Sequence, residues 1–123
     1  MTATSLAQSA YGAAAPIRTD RSTEYEAFKA ITGRLSWAAR PQADMPERAA
    51  SLHENRHLWT VLATDLTGDG NDLPQALRAQ LFYLAEFSLL QSRRALHDVD
   101  AMQALIDVNR AVMRGLDGQA SAA

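Results

Sequence analysis

Apolar side chains recur along most of this chain at intervals of three and four residues, the repeat that lines them up on one side of an α-helix. Alternation with period two never lasts more than a few positions, so no strand is predicted and the reading is all-α. The first long stripe runs from about 19 to 39 through Tyr25, Phe28, Ile31 or Thr32, Leu35 and Ala38. Thr23 and Glu26 stand at capping-box spacing near its start, and Arg40-Pro41 stops it. A second helix, 45 to 66, opens on Asp44-Met45-Pro46-Glu47: a cap oxygen, a proline where no amide hydrogen is missed, and a carboxylate three residues after the cap. Gly68 and Gly70 supply its exit. Asp72-Leu73-Pro74-Gln75 repeats the start signal for a third helix, 73 to 96, and Asp100 with Gln103 opens a fourth, 101 to 115, ending near Gly115 or Gly118. The repeated signal does not extend into a longer self-match, so it is shared capping rather than an internal repeat.

These elements predict a small bundle of four main helices forming one domain over 19–116. A segment over 1–18 precedes it, with a short or frayed helix at residues 4 to 14 ended by Gly12 and Pro16, and a loose tail follows at 117–123. The expected core is Trp59, Leu62, Leu77, Leu81, Leu84, Ile106 and Val112. Trp37 lies off its own stripe, which leaves it either at the rim of the core or against a partner.

The third helix is apolar around most of its circumference. Leu77, Leu81, Leu84, Ser88 and Ala95 make one face, Phe82 and Leu89 flank it, and Tyr83, Phe87 and Leu90 occupy much of the other side. Only a narrow strip with Glu86 and Arg93 is fully polar. With about three other helices to cover it, such an element is expected to keep a second apolar face for a partner or for another copy of the chain.

Composition narrows the function classes. The chain has 123 residues, 47% of them apolar, and no window approaching a membrane span. Twelve basic against fourteen acidic side chains leave a net charge of −2, which offers a phosphate backbone no counter-charge, so nucleic acid is not an expected partner. Cysteine is absent, which removes disulfides, thiolate metal sites and Cys nucleophiles. Met1 is followed by Thr-Ala-Thr-Ser with neither a basic nor an apolar leader region, so a cytoplasmic location is expected.

His53-Glu54-Asn55-Arg56-His57 matches H-E-x-x-H, the helical spacing in which two histidines bind zinc while the glutamate activates water. A zinc metalloprotease is therefore one reading, with Glu86 or His97 as third ligand. Against it, Arg56 puts a guanidinium beside the supposed cation, and the chain has no strands to flank such a site. The plainer reading is a solvated face opposite Leu52, Trp59, Leu62 and Leu66. No phosphate-binding glycine loop or nucleophile elbow is present, and Asp65, Asp69 and Asp72 fail the calcium-loop pattern because Ala76 stands where its closing glutamate belongs. No catalytic residue, metal ligand or cofactor is expected.

Several segments, in order, resemble one family. They are Glu24-Tyr25 with Phe28, Ile31 and Thr32; Glu54-Asn55-Arg56 followed by Leu58-Trp59, Leu62 and Asp65; Leu73-Pro74, then Leu77-Arg78-Ala79-Gln80-Leu81 and Leu84-Ala85-Glu86-Phe87; and Leu105-Ile106 with Val108 to Leu116. From Tyr11 to Leu116 the chain is similar to the bacterial flagellar biosynthesis regulator FlaF family. It departs from the family pattern at His57, where another basic residue is expected, which makes the H-E-x-x-H match accidental. The resemblance implies a helical, non-enzymatic flagellum assembly factor, similar to a flagellin-binding export chaperone and post-transcriptional regulator of flagellin synthesis that acts with FlbT. Flagellin is then the expected partner and FlbT a second one. Phe82, Tyr83, Phe87, Leu89 and Leu90 are the candidate client contacts, Arg78, Arg93 and Arg94 are placed to pair acidic residues on the client, and Trp37 is a further candidate. The alternative is a homodimeric helical scaffold that uses the same surface on itself.

Overall fold

Asp44 accepts a hydrogen bond from the Glu47 amide (2.9 Å) and Pro46 occupies the first turn behind it, so one helix starts where its sequence signal stands. In the computed structural model, which describes residues 20–68 and 73–122, that helix is the second of four: α1 (Asp20–Ala38), α2 (Met45–Leu66), α3 (Gln75–Ala95) and α4 (Val99–Ala122). Among the described residues there is no strand, and the all-α bundle of four main helices is the fold. The short N-terminal helix expected at residues 4 to 14 lies outside the described residues.

The other starts differ in detail. Helix α1 begins at Asp20, so Thr23 and Glu26 fall inside it rather than at a cap. Helix α3 begins at Gln75, directly behind Pro74, and Asp72 at the head of its start signal lies outside the described residues. At α4 it is Asp98, not Asp100, that caps: its Oδ1 accepts from the amides of Asp100 (2.9 Å) and Ala101 (3.4 Å), while Gln103 turns along the helix to Asp107 (2.9 Å). The helical backbone of α4 continues through Gly115 and Gly118 to Ala122, past the expected end. Glycine lowers helix stability without forbidding helix, and nothing stands within 4 Å of a β-carbon built on Gly115, so no packing demand interrupts the element there.

Each helix packs against its chain neighbours, and α4 closes on α1, while the diagonal pairs α1·α3 and α2·α4 make no close backbone approach. Neighbours run antiparallel, as side-chain packing shows. Ala27, Phe28 and Ile31 from the first half of α1 cluster with Leu58, Trp59, Leu62 and Leu66 from the second half of α2 and with Ala85 of α3. A second cluster joins Leu35, Ala38, Leu52, Ala95, Ala101, Met102, Leu105 and Ile106. The core is thus two apolar clusters stacked along an up-down-up-down bundle. In the first, the Phe28 ring meets Trp59 edge to face, with centroids 5.5 Å apart.

Of the expected core, Trp59, Leu62 and Ile106 are buried, whereas Leu77, Leu81, Leu84 and Val112 are only half-buried. Leu77 stands in the first turn of α3, and Leu81 and Leu84 lie one and two turns further along it, beside the buried Ala85. Leu81, Leu84 and Val112 still pack against the first cluster.

Candidate partner-binding surface

Helix α3 decides what surface this bundle offers. Its buried residues are Ala85, Ser88, Ser92 and Ala95, all small, so the helix sits close to its neighbours and its large side chains fan to the flanks and outward. Ser92 lets its hydroxyl be buried by donating to the Ser88 carbonyl four residues back, at 2.8 Å. On the opposite side, Ala79, Phe82, Tyr83, Glu86, Leu90 and Arg93 follow at helical spacing and are exposed. Tyr83 is 67% exposed, Leu90 60% and Phe82 36%. This is a continuous apolar strip interrupted by one carboxylate and followed by Arg93 and Arg94 in the last turn, where their charge also complements the helix dipole.

The candidate contact residues do not all share this strip. Leu89 is half-buried and packs against the first core cluster, and Phe87 is half-buried. Arg78 is half-buried too, on the same helix. Trp37 lies on α1, diagonal to α3, so it is not part of the same surface. It is 65% exposed, with the Arg40 guanidinium 4.0 Å from its ring centroid. Arg40 also donates to the Trp37 carbonyl (2.7 Å) and pairs with Glu47 (3.0 Å), tying the end of α1 to the start of α2. The tryptophan is therefore held in a corner built by Arg40 rather than at the rim of the core.

The histidine motif on α2 faces outward. His53 and His57 are exposed, and Glu54 is engaged by Arg34 of α1 at 2.6 Å. Glu86 and His97 are exposed as well, and among the described residues no three His, Asp or Glu side chains gather as a metal site. A cleft of about 210 Å³ between α1 and α4 is lined by Tyr25, Arg110, Met113 and Arg114.

Sequence reasoning did not single out a buried polar group in the middle of the bundle. The Trp59 indole donates to Asn109 Oδ1 (2.9 Å), and Asn109 Nδ2 donates to Asn55 Oδ1 (2.8 Å); all three side chains are fully buried. The available signal was that both asparagines interrupt apolar stripes at core positions, Asn55 three residues after Leu52 and Asn109 three after Ile106.

Set against known families, the chain matches one over nearly its whole length: the family model described as flagellar protein FlaF covers residues 7–116. The chain belongs to the FlaF family. Neither curated proteins nor solved structures produce a match. FlaF membership makes the role of this bundle a flagellar one, and it spans the α3 strip, the Trp59–Asn109–Asn55 group and the His53–His57 stretch alike. Among the described residues no helix of this FlaF bundle is long and apolar enough to cross a membrane.

Proposed function

We propose that this FlaF protein is a non-catalytic cytoplasmic factor that binds flagellin before export, keeps it unassembled, and regulates flagellin synthesis together with FlbT. The observation that carries the reading is the outward strip of α3, where Phe82, Tyr83 and Leu90 stand exposed on one helical face of a bundle whose family is flagellar. An amphipathic client helix laid along that strip buries its own apolar face, with Arg93 and Arg94 available to acidic side chains at one end. Phe87 and Arg78, half-buried at the flanks, border such a helix, and Trp37 lies apart from it.

The test is a flagellin pull-down with Tyr83→Glu and Leu90→Glu. Both side chains are solvated, so the helix content measured by circular dichroism stays at its normal value. Interface anchors of this kind commonly contribute about 2 kcal/mol, so affinity for flagellin is expected to fall by about 30-fold. Unchanged affinity in both variants removes the strip from the client site. Sedimentation of the unmodified protein without flagellin shows whether a second copy covers the same strip instead.

A further inference from the structure

Between the two apolar clusters, every helix turns a polar side chain inward: Thr32 from α1, Asn55 from α2, Ser88 from α3 and Asn109 from α4, none more than 4% exposed. They belong to one layer. The Arg34–Glu54 pair sets Thr32 level with Asn55 across the antiparallel α1 and α2. Asn109 lies level with Asn55 and Trp59 through its two hydrogen bonds. Ser88 stands between Ala85 of the first cluster and Ala95 of the second. Three polar atoms of this layer, Thr32 Oγ1, Asn55 Nδ2 and Ser88 Oγ, have no hydrogen-bond partner within the protein. Buried polar groups are paired in folded proteins, with protein or with ordered water, because stranding one forfeits its hydration without return.

We propose that this layer is an internal water-binding site. An amide N–H that only donates and two hydroxyls that both donate and accept form a complementary set for water, which makes about three hydrogen bonds when buried. No charged side chain is buried in the layer, so the ligand is neutral. Its consequence is structural symmetry of a useful kind. Asn55 and Asn109 tie the diagonal pair α2 and α4 directly, and a water bonded to Thr32 and Ser88 ties the other diagonal pair, α1 and α3, which make no close backbone approach. All four helices are then locked in register at one level by hydrogen bonds, which are directional, where the apolar clusters above and below tolerate sliding.

A high-resolution crystal structure of the full chain is expected to show an ordered water within hydrogen-bonding distance of Asn55 Nδ2, Thr32 Oγ1 and Ser88 Oγ. In parallel, Thr32→Val, which keeps the side-chain shape, and Ser88→Ala are each expected to lower Tm by about 2 to 5 °C, because each takes a partner from the water. Two results overturn the proposal. One is density in which both hydroxyls bond back to the carbonyls of Phe28 and Leu84 with no water between them. The other is a Tm that stays level or rises in both variants, which identifies hydroxyls that were stranded rather than bridged.

Discussion

Asn109 uses both ends of one amide: its oxygen accepts from Trp59 and its nitrogen donates to Asn55, joining helices that never pack side by side. Replacing it with alanine leaves the indole N–H and the Asn55 oxygen buried and unpaired. At about 1 to 3 kcal/mol for each stranded group, Asn109→Ala is expected to cost about 3 kcal/mol in urea unfolding, and a loss under about 1 kcal/mol would show that solvent reaches the pair. Leucines divide by burial in the same way. Leu105 is fully buried in the second cluster, so Leu105→Ala is expected to cost about 2 to 5 kcal/mol. Leu81 is half-buried, and Leu81→Ala is expected to cost about half as much, since part of its surface is already solvated. Equal losses at the two sites would contradict that difference in burial.

Helix ends depend on which oxygen reaches the free amides. At α4 the sequence offers two aspartates, and Asp98 takes the cap because it lies just before the first helical residue, while Asp100 already stands in the first turn. Asp98→Ala is expected to destabilise the protein by about 1 kcal/mol, and Asp100→Ala by clearly less, through the dipole alone. Thermal melts of the two variants check the order, and its reversal would return the cap to Asp100. Helix α3 shows why an apolar circumference does not translate into a large-residue core. The small residues at 85, 88, 92 and 95 allow close packing, which turns Tyr83 and Leu90 to solvent and makes them the surface on which client binding is tested.

At the scale of the whole molecule, every helix contributes to both apolar clusters or to the partly buried residues packed on them. Neither half can therefore melt while the other keeps its helices. Helix loss followed by far-ultraviolet circular dichroism and the change in Trp59 emission are expected to give coincident transitions in denaturant. Trp59 is the informative probe because it is buried in the first cluster, whereas Trp37 is already exposed. Separate transitions would show the central polar layer to be a boundary between independent units.

Helix type and number, the Asp44 start, the inward face of α3 with Ser88 and Ala95, the solvated side of α2 with His53 and His57, and the family resemblance were all legible in the sequence. Each depends on neighbours within one or two turns, or on residue order along the chain, and local spacing carries that information. Other features depend on what stands opposite. The burial of Asn55 and Asn109 exists only because α2 and α4 bring them together from positions 54 residues apart. Leu81 shares a face with the buried Ala85 and Ser88 and is nevertheless only half-buried, and the exposed Trp37 ring meets the Arg40 guanidinium from the turn that follows α1. A helical pattern states which residues share a face. The partners across the bundle decide how deeply that face is covered, and burial and hydrogen bonding between distant segments are set there.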